Sequence, residues 1–281
     1  MPALSRASSI TNRGVALSSG FLTRRSLLGC GLIFSASSIA HAADSSGLLL
    51  PPLADGHKRL YLCRHGQTDF NLEDRIQGRP DNALNTNGQA QARALSRYLA
   101  SAPLDVITSS NLQRARSTAN FVAEAHPNAR RLPPLTNFAE MCFGDLEGEI
   151  LGEIAATYKS YQASWRAGDI DRAWPGAYAG VKGESPRVVA ARGIEGLRTL
   201  GVLPTLAGSG SSASAGERTF LVVAHGRFNK ILISALQGDV SKASDLQQGN
   251  TCINVLDFDA DGRVLVRALN VREHLEPALA R

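Results

Sequence analysis

Leu60-Tyr61-Leu62-Cys63-Arg64-His65-Gly66 and, 160 residues further on, Val222-Val223-Ala224-His225-Gly226 are two apolar runs that each stop at a histidine followed by glycine. Strands buried on both faces read as unbroken apolar runs of this kind. In open α/β sheets the ligand crevice lies just beyond the carboxyl ends of the strands. Two histidines delivered to that edge, one of them beside an arginine, point to a shared pocket for an anion.

The segments around these runs alternate in period. Arg59 to Cys63 reads as the first strand, and Asn85 or Thr86 caps a helix with Ala94, Leu95, Tyr98 and Leu99 on its apolar face. Leu104 to Thr108 reads as a strand and Gln113 to His126 as a helix ending before Pro127. Residues 131–148 look like a loop-rich crossing, Ile150 to Trp165 a helix, and Pro186 to Leu200 another, with Ala190, Ile194 and Leu197 on one face. Gly208 to Gly216 is a flexible surface loop by composition. Thr219 to Ala224 is a strand, followed by a helix from Phe228 to Leu236. Cys252 to Phe258 and Val264 to Leu269 flank a hairpin-type turn at Asp259-Ala260-Asp261-Gly262. Strands alternating with helices predict an α/β three-layer sandwich, its mostly parallel central sheet flanked by helices. Residues 58–275 form the single domain on this reading, 43–57 a linker and 276–281 a tail.

The first 43 residues differ in kind: they hold no Asp or Glu, four arginines and many serines. Thr23-Arg24-Arg25-Ser26 leads into the apolar run Leu27 to Ile39, and Ala40-His41-Ala42 is a small-x-small cleavage pattern. That order predicts a cleavable targeting leader over 1–42, and the paired arginines favour the twin-arginine route. The run is broken by Gly29 and Gly31 and is short for a bilayer span, so no stable membrane insertion is expected once the leader is removed. Export to a bacterial periplasm, or to the thylakoid lumen of a chloroplast, is the implied localisation. The chain carries 30 Lys and Arg against 25 Asp and Glu, a net +5; subtracting the leader's four arginines leaves about +1. The basic balance therefore belongs to the targeting segment and gives no support for nucleic-acid binding. Cys63, Cys142 and Cys252 remain in the mature chain, an odd set without CxxC spacing, which argues against both a disulfide framework and a zinc site.

A histidine nitrogen attacks phosphorus only when neutral, and it needs a partner that fixes its tautomer. Arg64 supplies a planar, permanently charged fork for phosphate oxygens, and Gly66 lets the backbone approach closely. Asn71, six residues after His65, is placed to donate from the same loop. Arg114 opens the helix after the second strand, where its charge adds to a helix N-terminus. Glu140, in Glu140-Met141-Cys142-Phe143-Gly144-Asp145-Leu146-Glu147-Gly148, is a carboxylate on an apolar, glycine-rich loop, where burial favours proton donation. His225-Gly226 completes the set.

With these residues in this order, the chain resembles the histidine phosphatase superfamily, the phosphoglycerate-mutase-like group, over nearly all of 58–275. Leu62 to Thr68 with Asn71 looks like the first motif of the family. Gln77-Gly78, Asp81, Leu84 and Gly88 match the loop and helix start that follow, and Arg114-Ala115 with Thr118-Ala119 the second motif. Glu140 with Phe143-Gly144 and Glu147-Gly148 resembles the acid-bearing loop of the phosphatase branch, and Gly183-Glu184-Ser185 a later element. Asn85 stands where the family commonly has Thr, and both residues cap helices.

The resemblance implies a metal-independent, cofactor-free phosphomonoester hydrolase acting on a small phosphorylated substrate. His65 would form a phosphohistidine and Glu140 would protonate the leaving oxygen. Arg64, Asn71, Arg114, His225, Gly226, Gln77 and Gly78 would hold the phosphoryl group. A phosphoglycerate mutase would use the same pocket but return the phosphoryl group to a second acceptor position, and a silent phosphate-binding module would lack the chemistry. The presence of His65, Arg64, Arg114, Glu140 and His225 together weighs against the silent module. Segment 150–185 is expected to cover the pocket and matches no subgroup.

Overall fold

A computed structural model describes residue 48, residues 50–205, residues 212 and 214, and residues 216–279. The leader read over 1–42 lies outside the described residues, as does most of the Gly/Ser-rich loop. The described chain runs β1 (Lys58–Arg64), α1 (Asp69–Leu72), α2 (Thr86–Tyr98), β2 (Val106–Ser109), α3 (Gln113–Glu124) and β3 (Arg130–Arg131). It continues through α4 (Ala155–Arg166), β4 (Ala177–Tyr178), β5 (Val181–Lys182), α5 (Pro186–Thr199), β6 (Thr219–Ala224), α6 (Gly226–Leu236), β7 (Ile253–Phe258) and β8 (Val264–Val271).

The central sheet has six strands in the order β3-β2-β6-β1-β7-β8. The pairs β3–β2, β2–β6 and β6–β1 are parallel, whereas β1–β7 and β7–β8 are antiparallel. The sheet is therefore mixed, with the parallel half carrying both histidine-terminated strands side by side. Arg64 pairs with Ala224, so the next residue on each strand is His65 and His225.

Side-chain alternation explains why both runs are apolar throughout. Leu60, Leu62, Phe220 and Val222 face one core together with Val189 and Leu197 of α5 and Phe228 and Ile231 of α6. Tyr61, Cys63, Leu221 and Val223 face the other, with Leu95 of α2 and Ala115 and Val122 of α3. Successive strand residues point to opposite faces, so each run feeds two hydrophobic cores and neither face reaches water. These are the three layers the sequence predicts. The three thiols Cys63, Cys142 and Cys252 are free and buried.

Several boundaries differ from expectation, each for a local reason. The helix expected from Ile150 starts at Ala155, because Ile150 bridges to Arg75 and the Leu151 N–H donates to the Asp74 carbonyl. The helix expected from Phe228 begins at Gly226, immediately after His225. Strand β3 and the β4–β5 hairpin, two residues each, are too short to show a period. The segment read as a linker is packed in part, with residues 52 and 54–56 exposed. Leu48 and Leu50 are buried in the α2/α3 core, and Arg59 donates to the Pro51 carbonyl. Among the described residues no helix is long and apolar enough to cross a membrane.

Candidate active site

His65 leaves β1 at its carboxyl end and is nearly buried. Its Nδ1 lies 2.7 Å from the Gly66 carbonyl oxygen. A carbonyl only accepts, so Nδ1 carries the proton and Nε2 keeps its lone pair. Arg114 Nε donates to that same Nε2 at 3.3 Å, which fits an unprotonated nitrogen. The loop cannot drift, because the Gly66 N–H donates to Thr118 Oγ1. A Cβ at Gly66 would stand 2.4 Å from the Gly88 carbonyl oxygen, so only glycine lets α2 close on this turn.

Arg114 is fully buried at the start of α3. Its Nη1 and Nη2 donate to the carbonyls of Pro80 and Gly78 at 2.7 and 2.8 Å. Leu112, the residue before α3, makes no side-chain cap; instead Asp81 accepts from the Gln113 N–H, and Ser110 Oγ from the Leu112 N–H. Burial pulls the Arg114 guanidinium down to about 10, against the opposing pull of Glu140 and Asp81.

His225 caps α6 at the end of β6 and is fully buried, its ring centroid 5.1 Å from that of His65. Its Nε2 meets Ser110 Oγ at 2.8 Å, and Nδ1 is buried with no partner among the described residues. Glu140 is held at the same helix end. Its Oε1 accepts from the N–H groups of Met141 and Phe228 at 2.8 and 2.7 Å, and Oε2 from that of Arg227 at 2.9 Å. A carboxylate on the first turn of a helix meets both unpaired N–H donors and the positive dipole end.

These groups border a cavity of about 200 Å3 lined by Arg64, His65, Asn71, Gln77, Glu140 and Gly226, with Arg75, Ile76, Phe143, Tyr158, Arg227, Lys230 and Gln248 completing the wall. Arg114 and His225 stand behind His65. Arg64 donates to the Gln248 carbonyl at 2.7 Å, and its Nε is buried without a partner among the described residues. Gln77 Oε1 accepts from Thr68 Oγ1, and its buried Nε2 has no partner among the described residues. Asn71 Oδ1 is taken by the Thr68 N–H and by Asn250 Nδ2, leaving the amide nitrogen as its donor. Of the residues expected to hold the phosphoryl group, Arg114, His225 and Gly78 lie outside this lining, and Gly78 is turned to other partners. Gly78 does not line the cavity: its N–H donates to Glu147 Oε2 and its carbonyl holds Arg114, so it supports Arg114 instead of binding phosphate.

Sequence reasoning missed a second tier of groups. Glu184 Oε2 accepts from the Cys142 N–H, and the carboxylate pairs with both Arg79 and Arg192. Arg192 also donates to the carbonyls of Asn137, Ala139 and Glu140, fixing the loop that carries Glu140. Arg192 lies about two turns into a helix far along the chain, so spacing offers no signal for it. Arg192→Met would take one of its two cations from buried Glu184 and the donor from three carbonyls, a loss of about 3 kcal/mol. Urea unfolding should register it as a lower midpoint with an unchanged slope.

Burial, with Arg114 and Arg64 nearby, holds His65 well below the ordinary histidine range. Burial also lowers His225 well below it, aided by Arg114 and His65. In the unfolded chain both imidazoles take up protons near pH 6.5, while the native pair stays neutral. Stability present at neutral pH is therefore lost progressively as the pH falls below about 6.5. The urea midpoint should drop between pH 7 and 5, and less steeply in His225→Gln; equal slopes would contradict the assignment. By the same shift, His65 Nε2 keeps its lone pair at a pH where a solvated imidazole is charged.

An α/β sheet that brings two histidines to adjacent parallel strand ends, with two arginines and a glutamate around them, is an arrangement that can hold and attack a phosphoryl group. A family model described as the histidine phosphatase superfamily (branch 1) matches residues 60–271, and the chain belongs to that superfamily. It is 27% identical over 216 residues to the uncharacterized phosphatase PhoE of Bacillus subtilis, covering 76% of this chain and 95% of the relative. It is 33% identical over 181 residues to the glucosyl-3-phosphoglycerate phosphatase of Mycolicibacterium vanbaalenii, covering 64% and 75%. Among solved structures, the native mycobacterial glucosyl-3-phosphoglycerate phosphatase superimposes with a TM-score of 0.60 at 30% identity, over 76% of this chain and 99% of that one. Family and relatives together support phosphatase activity.

Proposed function

We propose that the protein is a phosphomonoester hydrolase working through a phosphohistidine on His65, with Glu140 as proton donor. The observation that carries this reading is the 2.7 Å contact of His65 Nδ1 with the Gly66 carbonyl, which puts the ring proton there and leaves the Nε2 lone pair, met by Arg114 Nε until a substrate enters, beside the cavity shared with Arg64 and Glu140. Nε2 attacks phosphorus in line and forms the N–P bond. The ester P–O bond breaks, its electron pair going to the leaving oxygen, which takes a proton from Glu140. Water then attacks the phosphohistidine, Glu140 accepts the proton of that water, and phosphate leaves as neutral His65 is restored. Arg64 in the cavity wall, the charge of Arg114 behind His65 and a hydrogen bond from neutral His225 stabilise the equatorial oxygens, the work that metal ions do in many phosphotransferases. Among the described residues no group of three or more His, Cys, Asp or Glu is placed to hold a metal ion, and metal independence is part of the reading. Export directed by the first 42 residues completes it, and N-terminal sequencing of the mature chain tests that part.

The mature chain is assayed with p-nitrophenyl phosphate in EDTA and quenched separately to trap a base-stable, acid-labile phosphoenzyme. Hydrolysis with trapping supports the reading. Trapping with transfer only between phosphoglycerates would make the protein a mutase, and neither outcome would leave a binding module.

A further inference from the structure

Two cations in the cavity wall are left over once the phosphoryl group has been assigned its partners. Arg227 and Lys230 sit in the first turns of α6, a helix with no acidic residue in its first turn. That is the positive end of the helix dipole, where added cations are unfavourable. Arg227 is only 9% exposed. Its Nη2 donates to Tyr158 Oη, and its guanidinium lies 5.4 Å from the Tyr158 ring and 5.9 Å from the Trp165 ring. Tyr158 is itself stacked on Trp174 at 5.5 Å, so the guanidinium is held in place. Its Nη1 is buried with no partner among the described residues.

Lys230 lines the same cavity, and among the described residues its ammonium has no hydrogen-bond or ion-pair partner. Burial, then Arg227 and Arg64, pulls it down to about 8. No other cavity group pairs with this charge, though Glu140 favours it through space. Glu140 is engaged by three backbone N–H groups, and Arg75 is paired with Glu73 and the Gly148 carbonyl. Outside the pocket, buried Arg59 is matched by Asp257 and Arg192 by Glu184, whereas Arg64 and Arg114 are already assigned to the phosphoryl group. Burying charge without a partner is costly, and an anion between Arg227 and Lys230 would remove that cost.

We propose that Arg227 and Lys230 form a second anion subsite beside the phosphoryl pocket, so that the enzyme takes compact phosphomonoesters whose leaving group carries a carboxylate or a second phosphate close to the ester oxygen. This rests on the phosphatase reading above and names the substrate class of that site. Because Arg227 is rooted on the N–H that holds Glu140, the second anion would fix the leaving oxygen against the proton donor.

The test compares kcat/KM for 2-phosphoglycolate, ethyl phosphate and ethane-1,2-diol bisphosphate in the wild type, Lys230→Met and Lys230→Arg. The wild type should prefer at least one doubly anionic ester over ethyl phosphate by about tenfold or more, a difference in reach of one charged contact. Preference for phosphoglycolate identifies a carboxylate site, and preference for the bisphosphate a second-phosphate site. Lys230→Met should cut that ratio about tenfold, and Lys230→Arg should keep it. Equal use of all three esters, or a preference that Lys230→Met leaves intact, overturns the subsite while the phosphatase reading stands. No hydrolysis of any ester overturns the phosphatase reading. Should Lys230→Met not fold, wild-type inhibition decides: phosphonoacetate should bind about tenfold tighter than ethylphosphonate if the anion is a carboxylate, and methylenebisphosphonate if it is phosphate. Equal inhibition by all three excludes the subsite whether or not the protein turns over.

Discussion

His65→Ala is expected to abolish turnover, lowering kcat/KM by about five orders of magnitude, and to leave no trapped phosphoenzyme. The size follows from the covalent step: removing the imidazole removes the nitrogen that makes the N–P bond, and binding alone then supplies the residual rate. His225 cannot substitute, because its Nε2 is taken by Ser110 Oγ and its ring stands behind that of His65. His225→Ala should therefore fall by only about two to three orders of magnitude, the scale of one lost charge-stabilising contact, while still forming phosphoenzyme slowly. Circular dichroism and urea midpoints would show both variants folded, since the His65 imidazole makes one hydrogen bond to a carbonyl and one long contact to Arg114, and the His225 imidazole one contact to Ser110 Oγ. Near-wild-type hydrolysis by His65→Ala would remove His65 from the nucleophile role.

Glu140→Gln should show a loss that depends on the leaving group. For alkyl phosphates, whose departing oxygen needs a proton, kcat/KM should fall by about two to four orders of magnitude. For p-nitrophenyl phosphate, whose departing oxygen is stable as an anion, the first step should fall far less. The site also makes the substitution imperfect in a readable way. Oε1 accepts two backbone N–H groups and Oε2 one, so a glutamine turns its NH2 toward a donor whichever way it lies. One buried N–H is left unmet, at a cost of about 1–3 kcal/mol. A loss equal for both classes of ester would mean that Glu140 only shapes the loop.

The two apolar runs were legible as buried strands because their residues are buried on both faces, the helix over 86–98 because Asn85 announces its start, and the helix over 186–199 because Ala190, Ile194 and Leu197 share a face. His65, Arg64, Arg114, Glu140 and His225 were legible for a different reason: each is a reactive or charged group at a strand end, at a helix start or, for Glu140, on a glycine-rich loop. Gly78 was misread because a glycine beside a site gives no hint of whether its N–H faces the ligand or, as here, a carboxylate. Glu184 and Arg192 were not assigned, since a buried ion pair that braces a loop depends on tertiary proximity alone. Arg227 and Lys230 did leave a signal. Two cations in the first turns of a helix, with no acid beside them, break the usual dipole preference, and that breach marks a place built for charge from outside.

The position of β1 has a consequence for synthesis. Its partners are β6 and β7, both made near the end of the chain. Until residue 258 has emerged, β1 lacks one or both of its neighbours, and an apolar strand with unpaired edges invites association with other chains. Pairing across so many residues is also slow, since the loop must close before any contact rewards it. A nascent chain halted after α5 would hold His65 and Glu140 but no β6 and no α6, hence neither His225 nor the N–H groups that seat the carboxylate. The centre of this enzyme is thus assembled last, from the two ends of its domain, and prematurely terminated chains should be recovered as inactive aggregates.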